Sequence, residues 1–255
     1  MRMIALQSGS NGNAVYVEAE GVRLLFDAGI SGAVAAERLA ALGRDIRQVD
    51  ALLISHDHAD HVRAAGVYQR KFGLPLHATA RTLQVAAARK SLGRLQQVFH
   101  FRPGEVLRFG KVAVETIPTP HDGVEGVAFV VDDGRHRLGI LTDLGHVFAG
   151  LADVVASLDG ILLESNYDPQ MLHQGSYPEF LKRRIAGPGG HISNVEAAEL
   201  LARALDRRAR WVCLGHLSEE NNRPELVLRT HRQLLDGRVP LCVASRYGAS
   251  AMLEL

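Results

Sequence analysis

The chain has 255 residues, 47% of them hydrophobic, so it is long enough to bury a sizeable core as one large domain or two small ones. Its 29 basic and 28 acidic residues give a net charge of +1, so any surface for a polyanion must be local rather than a property of the whole chain. No stretch reaches the roughly eighteen apolar residues that span a bilayer, and the first residues lack a signal-peptide pattern. We therefore expect a cytoplasmic protein without membrane contact.

Short β-type runs dominate the first half of the chain. The predicted strands are residues 3–6, 14–18, 23–27, 51–54, 112–118, 127–132 and 137–142. Two segments, 33–42 and 80–91, instead repeat apolar residues at helical spacing. The first half is therefore predicted to be a set of strands with a few intervening helices.

Strands and helices alternate in the second half. Strands are predicted at 160–165 and 211–216, and helices at 177–185, at 194–205 and after Pro224. Ser193 and Glu196 are spaced as a helix capping box, and Pro224 suits the first turn of a helix. Because there is no repeat and no linker-like tract, residues 1–255 are expected to form a single domain with two layered halves.

Four potential metal ligands follow the predicted strand 51–54: His56, His58, Asp60 and His61. A lone histidine is usually a packing or surface residue. Three imidazoles and a carboxylate crowded at one strand end, however, repel and desolvate one another unless a cation holds them. Imidazole and carboxylate ligands together suit Zn²⁺ or Mn²⁺. The cluster therefore predicts a divalent metal site.

This His-x-His-x-Asp-His pattern resembles the metal-binding motif of the metallo-β-lactamase superfamily. The resemblance implies an α/β (α+β) fold, a four-layer αββα sandwich of two mixed β-sheets flanked by helices. It also implies four further site residues in chain order, namely Asp27 supporting the metal loop, His121 and His216 as ligands, and Asp143 as a carboxylate shared by two metals. From the residues alone, Asp27 in Asp-Ala-Gly could instead open a turn, which is the less favoured alternative.

By this analogy the site holds two divalent metal ions, Zn²⁺ or Mn²⁺. One ion would take His56, His58 and His121, the other would take Asp60, His61 and His216, and Asp143 would reach both. Two cations so held would activate a water molecule and bind substrate oxygens, so Asp60 and Asp143 are also expected to be catalytic.

Three polar segments are candidates for binding phosphate. Their candidate residues are Ser8, Ser10, Asn11 and Asn13 in a glycine-rich turn, Ser193 and Asn194 at a predicted helix start, and Asn221 and Asn222 after His216. His191, beside the helix start, could clamp the scissile phosphate or protonate a leaving alkoxide. The alternatives are that the turn only connects strands, that Ser193 and the asparagines only cap helices, and that His191 is exposed.

These extra motifs, together with Leu-Glu-Ser-Asn-Tyr-Asp at 163–168, resemble the bacterial YycJ/WalJ branch of the superfamily. That resemblance implies a metal-dependent phosphodiesterase or nuclease, most specifically a 5′→3′ DNA exonuclease, with DNA favoured over RNA as partner. It gives no role to Glu164 or Asn166, which lie at a predicted strand end. Basic residues that could guide a strand along an open groove are Arg63, Arg70, Lys71, Lys182, Arg183 and Arg184, although such runs are usually solvated faces.

Two other functions are compatible with the same residues. The metal pair could hydrolyse a small ester, thioester or cyclic phosphodiester, in which case salt should matter little. A non-catalytic metal-binding module is the third possibility, but docking alone does not require a complete ligand set. Cys213 and Cys242 lie in apolar runs and are expected to be buried free thiols rather than a disulfide or a metal ligand.

Overall fold

The computed structural model describes residues 1–89 and 91–255. Within them, two seven-stranded mixed β-sheets pack face to face, and helices cover the outer face of each sheet. The predicted four-layer sandwich is therefore confirmed.

The elements are as follows. The first sheet has the order β14 (Leu253–Glu254), β1 (Arg2–Gln7), β2 (Ala14–Ala19), β3 (Val22–Phe26), β4 (Ala51–Leu53), β5 (Leu76–Ala78) and β6 (Val98–His100). The second sheet has the order β13 (Leu241–Val243), β12 (Trp211–Gly215), β11 (Gly160–Glu164), β10 (Arg137–Leu141), β9 (Val127–Asp132), β8 (Val112–Pro118) and β7 (Val106–Phe109). The helices are α1 (Gly32–Ala41), α2 (Ala59–Val62), α3 (Ala65–Phe72), α4 (Ala80–Arg89), α5 (Leu151–Ala156), α6 (Pro169–Gln174), α7 (Glu179–Ile185), α8 (Asn194–Ala204) and α9 (Pro224–Leu235), with a 3₁₀ turn at Ile46–Gln48.

The central strands are buried on both faces because each sheet lies between a helical layer and the other sheet. In β1, Ile4 packs with the outer helical layer, while Met3 belongs to the layer between the sheets. Phe26 of the first sheet meets Phe129 of the second with their ring centroids 5.0 Å apart. Because this middle layer draws on both halves of the chain, we infer that residues 1–255 form one domain.

The predicted strands agree with the structure to within about a residue at most ends. The capping box of α8 is present in both directions, and Pro224 begins α9, as predicted. The predicted helix 80–91 is observed as α4, which ends at Arg89; Lys90 lies outside the described residues and Ser91 is not helical. Cys213 and Cys242 are free, as expected, and stand opposite each other on β12 and β13; Cys213 is buried and Cys242 half-buried.

Parallel pairing brings the carboxyl ends of several strands to one edge of the sandwich. Strands β3 and β4 are parallel, as are β10, β11 and β12. The loop between β8 and β9 reaches the same edge because β8 and β10 both run antiparallel to β9. Side chains that follow these strands therefore converge, as open α/β sheets place their sites.

None of the helices in residues 1–89 and 91–255 has the length and apolar character needed to traverse a bilayer.

Candidate metal centre

The residues of the predicted metal site follow the ends of strands that are largely buried. Asp27 comes directly after β3, the cluster from His56 to His61 follows β4 and runs into α2, and His216 comes directly after β12. Asp27, Asp143 and His216 have φ values of 64°, 57° and 54°, in the left-handed region. Side chains other than glycine adopt this region uncommonly, and strained backbone of this kind clusters at functional sites.

A glycine allows the metal loop to approach the strand that supports it. A Cβ atom at Gly29 would lie 1.6 Å from the carbonyl oxygen of Asp60. That carbonyl accepts a hydrogen bond from the backbone N–H of Asn13 at 2.7 Å, and the N–H of Ala28 donates to the carbonyl of His61 at 2.6 Å. Glycine in the Asp-Ala-Gly motif is therefore required for close backbone contact.

The ligand atoms form two clusters with a shared carboxylate. Within each cluster the ligand atoms lie within 4.8 Å of one another, and the clusters are His56, His58 and His121, and Asp60, His61 and His216. Asp143 Oδ2 lies 3.3 Å from His61 Nε2, and its Oδ1 lies 3.6 Å from His121 Nε2 and 3.5 Å from His216 Nε2. The structure thus brings together all seven side chains that the sequence singled out.

The imidazoles are held in place through the ring nitrogen that faces away from the cluster. His61 Nδ1 donates to Asp27 Oδ2 at 2.7 Å, and His121 Nδ1 donates to the carbonyl of Gly190 at 2.7 Å. His56 Nδ1 lies 2.9 Å from Ser55 Oγ, which also donates to Asp27. Histidines that bind metals are typically oriented in this way, which fixes the tautomer with a lone pair toward the ion.

Two buried polar atoms of the cluster have no hydrogen-bond partner among the described residues. They are His56 Nε2 and Asp143 Oδ2. Buried polar atoms without partners are costly in a folded protein. The other polar atom of each side chain does have a neighbour: His56 Nδ1 lies beside Ser55 Oγ, and Asp143 Oδ1 lies beside His121 Nε2. The donor set and its orphaned atoms therefore fit divalent metal ions.

The electrostatics of the cluster also favour a cation. Burial lowers the pKa of His56 well below its usual value, so this imidazole is neutral and able to act as a ligand. Burial acts in the same direction on His216, but Asp143, Asp60 and Glu164 outweigh it and raise its pKa to about 10. The carboxylates therefore create a field that attracts positive charge at the centre of the site.

Glu164 links two of the histidines. Its carboxylate is fully buried at the end of β11; Oε1 accepts from His191 Nδ1 at 2.6 Å and lies 3.3 Å from His216 Nδ1. Oε2 accepts from the backbone N–H of Leu144 at 3.0 Å. Burial alone would raise the pKa of this carboxyl, but the neighbouring His191 and His216 hold it well below its usual value. Glu164 therefore acts as an anion that orients both imidazoles.

A cavity of about 290 Å³ opens onto the cluster; we call it the metal cavity. His58, Asp60, Asp143, His191 and His216 face it, together with Ser10, Arg89 and Arg184 at its walls.

Two arginines at this rim are tethered by acids next to metal-site histidines. Arg184 Nε donates to Asp122 Oδ2 at 2.7 Å, and Arg89 donates to Asp57. Both guanidinium groups remain more than half exposed. They are placed to contact an anionic substrate at the mouth of the cavity.

The glycine-rich turn near the N-terminus mainly supports the cluster. Ser8 is buried and accepts from the backbone N–H of His216 at 2.8 Å, and Asn13 Nδ2 donates to Asp60 Oδ2 at 3.2 Å. Asn11 donates to the carbonyl of Arg246. Of the four predicted phosphate contacts in this turn, Ser10 is the one that lines the metal cavity.

The other predicted phosphate contacts lie inside the protein and, apart from Asn221 Oδ1, are hydrogen-bonded there. Ser193 and Glu196 satisfy each other in the capping box, and the N–H of Asn194 donates to the carbonyl of Tyr167. Asn222 donates to the carbonyls of Ser165 and Asn166 and to Asn194 Oδ1, and Asn221 is buried. These groups therefore stabilise the protein around the start of α8. Among the candidate residues near this helix start, His191 is the one that lines the metal cavity.

The basic runs contribute one residue to the metal cavity, Arg184. Arg63 donates to the carbonyl of Asn11, Arg70 to that of Leu92, and Lys182 to that of His173. Arg89 was not indicated by sequence, because a single arginine at the end of an amphipathic helix carries no pattern. Glu164 was noticed only for its position at a strand end.

A family model described as a beta-lactamase superfamily domain matches residues 22–216. Exodeoxyribonuclease WalJ of Streptococcus pneumoniae is 40% identical over 229 residues, covering 88% of this chain and 84% of that protein. Exodeoxyribonuclease YycJ of Bacillus anthracis is 34% identical over 233 residues, covering 91% and 88%. The crystal structure of YhfI from Bacillus subtilis, a metallo-beta-lactamase fold protein, superposes with a TM-score of 0.74 at 16% identity and covers 98% of both chains. The chain therefore belongs to the metallo-β-lactamase superfamily, in the branch that contains WalJ and YycJ.

Proposed function

We propose that this protein is a metal-dependent exodeoxyribonuclease that degrades DNA in the 5′→3′ direction with two divalent metal ions, Zn²⁺ or Mn²⁺. The observation that carries the proposal is the pair of ligand clusters with Asp143 between them. The relatives named exodeoxyribonuclease, which match this chain over most of its length, support DNA as the substrate.

The seven clustered side chains would hold the metal pair, and Asp27 would orient His61. When bound, two divalent cations lower the pKa of a water molecule and neutralise charge on phosphoryl oxygens. The cavity that opens onto the cluster suits a phosphodiester, because imidazole and carboxylate side chains line it and Arg89 and Arg184 add positive charge.

His191 is the residue of this chain best placed to handle a proton. Its Nδ1 is engaged by the Glu164 carboxylate, so Nε2 is the ring nitrogen that can reach the metal cavity. A donor held against an anion in this way can protonate the leaving alkoxide of a phosphodiester. Glu164 fixes the tautomer and contacts no substrate.

The first test removes ligands from each cluster. Asp60→Ala and His58→Ala should each abolish metal-dependent cleavage of DNA, because each leaves its cluster without one ligand. His173→Ala, which removes a histidine that does not line the metal cavity, is the matched control and should retain activity. Cleavage by the Asp60 variant at the wild-type rate would refute the metal assignment.

The second test identifies the substrate and the direction of digestion. Metal-loaded protein is incubated with DNA and with RNA labelled separately at each end, and the label released first is recorded. Early release of the 5′ label from DNA supports the proposal. If neither label is released and a small phosphodiester is hydrolysed without salt dependence, the protein is a small-molecule hydrolase instead.

A further inference from the structure

A second cavity, of about 350 Å³, lies directly beside the metal cavity; we call it the side cavity. The wall between them contains His216, which lines the metal cavity, and the next residue, Leu217, which lines the side cavity. The side cavity is formed by residues that follow β12 and the parallel strand β13, so it lies at the same edge of the sandwich as the metal cluster. A strand whose phosphate lies at the metals can therefore run along this edge toward the side cavity.

Arg246 fixes this wall. Its guanidinium donates to the carbonyl of Leu217 at 2.6 Å, to Ser10 Oγ at 3.2 Å and to Glu219 Oε2 at 3.0 Å. The side chain is only 10% exposed, and its Nε has no partner among the residues the structure describes. Ser10 lines the metal cavity and Arg246 lines the side cavity, so this hydrogen bond joins the two.

The side cavity suits an uncharged, flat, largely apolar group. Its lining includes Leu217, Pro224, Val243 and Tyr247, and the hydroxyl groups of Ser218 and Ser245 add polar atoms. The charge of Arg246 is balanced by Glu219, so the cavity presents no net charge to a phosphate. Its volume is in the range of small-ligand sites.

Tyr247 offers a surface for stacking. The residue is 68% exposed, although its hydroxyl donates to Glu219 and its carbonyl accepts from Arg38. An aromatic ring held by hydrogen bonds but open to solvent is the feature that proteins use to stack unpaired bases. A nucleobase has the flat apolar faces and polar edges that this cavity matches.

We propose that the side cavity binds a nucleobase of the substrate strand near the scissile phosphate, and that Tyr247 stacks on it. This subsite rests on the proposed nuclease function, because it assigns the base of the same strand that the metal cavity cleaves. It is independent of sequence, because stacking uses a face that every base has.

The test couples a change in the protein to a change in the substrate. Single-stranded oligonucleotides carrying one abasic position at the first, second or third nucleotide from the attacked end are compared with the intact strand. For wild-type protein, one abasic position should reduce kcat/KM about tenfold. On intact DNA, Tyr247→Ala should lower kcat/KM by about the same factor. An abasic nucleotide at the sensitive position should then cause no further loss in this variant, because both changes remove the same contact.

Two variants control for the loss of an aromatic ring. Tyr247→Phe keeps the ring and should keep the sensitivity to the abasic position. Phe99→Ala removes a ring that is 52% exposed on strand β6 and lines neither cavity, so it should behave as wild type. Equal, additive losses for Tyr247→Ala at every abasic position would overturn the subsite.

Binding measured without cleavage separates this subsite from the nuclease proposal. Fluorescence anisotropy of labelled oligonucleotides in EDTA reports affinity alone. Binding that depends on both Tyr247 and one base, with no turnover when metal is restored, keeps the subsite and rejects the nuclease. Turnover without such coupling keeps the nuclease and rejects the subsite, and binding insensitive to both changes also rejects it.

Discussion

Replacing Glu164 by glutamine tests whether this buried carboxylate organises the metal centre. Four N–H groups converge on its two oxygens: those of His191 Nδ1, His216 Nδ1 and the backbones of Leu144 and Ile192. Glutamine has nearly the same shape but offers one oxygen and one NH₂ group. Whichever way the amide is turned, its NH₂ group faces another donor.

The size of the effect follows from this mismatch. One buried donor left without an acceptor costs about 1 to 3 kcal/mol. If the amide faces the histidines, they must move their proton to Nε2, the nitrogen that in His216 faces Asp60 and Asp143. The same energy is about a 5- to 150-fold change in an equilibrium or a rate. We expect Glu164→Gln to reduce metal affinity or kcat by about 10- to 100-fold, as loss of such supporting contacts usually does.

The assay must distinguish orientation from general destabilisation. Metal affinity is measured by competition with a chromophoric chelator, kcat on end-labelled DNA at saturating metal, and thermal unfolding on the metal-free protein. Glu199→Gln, an exposed carboxylate on helix α8, is the matched control. Wild-type affinity and kcat in Glu164→Gln would refute the reasoning, and a fall in unfolding temperature alone would assign Glu164 a purely structural role.

Three further predictions concern pH and salt. Burial of His231 lowers its pKa to about 4. The free energy of unfolding should therefore fall as the pH drops from 6.5 toward 4, because the unfolded chain binds the proton first. Urea titrations across this range should show a smaller fall for His231→Leu. Glu18 has its pKa lowered to about 2, chiefly by Arg44, so about 1 to 2 kcal/mol of stability should be present above pH 4.5 and lost toward pH 2, and Glu18→Gln should flatten that loss. Arg184→Ala should weaken DNA binding and reduce the slope of log binding constant against log salt concentration by about 1. Arg183→Ala is the control and should change neither, because Arg183 is exposed on the same helix but lines neither cavity.

The metal cluster could be predicted from the sequence because so many ligand residues close together are hard to explain without a bound metal. Four ligands follow one strand within a few residues, and no packing role explains them. His121 and His216 carry no such signal, since each is a single histidine at a strand end. They were placed by resemblance, and the structure shows why they converge. β10, β11 and β12 are parallel, and β8 has the same direction because both β8 and β10 run antiparallel to β9, so all four strands end at one edge.

Long strands and helices with regular periodicity were predicted well, and short elements were missed. Strands β5, β6 and β13 have three residues each, too few for an alternation to be recognised. Helix α3 (Ala65–Phe72) was also missed, because its apolar positions are interrupted by Gln69 and Arg70. Its C-terminal Gly73, at φ 76°, was the signal that could have located it.

Substrate contacts were harder to predict than metal ligands for a physical reason. Most of the polar residues picked out near Ser8, Ser193 and Asn222 are buried and bond to the protein itself, and Ser10 is the one that lines the metal cavity. Polar motifs of this kind build the supports of a site as often as its surface. The groups that reach the cavities, Arg89 and Tyr247, are exposed residues of ordinary type, and a sequence does not distinguish them from solvated ones.

The two classes of residue therefore have different mechanical supports. Asp27, Asp143 and His216 follow strands that are buried on both faces, and their left-handed backbone is held by the sheets. Arg184 extends from a short helix, and Tyr247 lies in a loop between β13 and β14. The metal-site residues are thus held rigidly, whereas the proposed substrate contacts lie on peripheral elements. Substrate preference can then change without a change in the metal site. We therefore expect substitutions at Arg184 and Tyr247 to change substrate binding without disturbing the metal ligands.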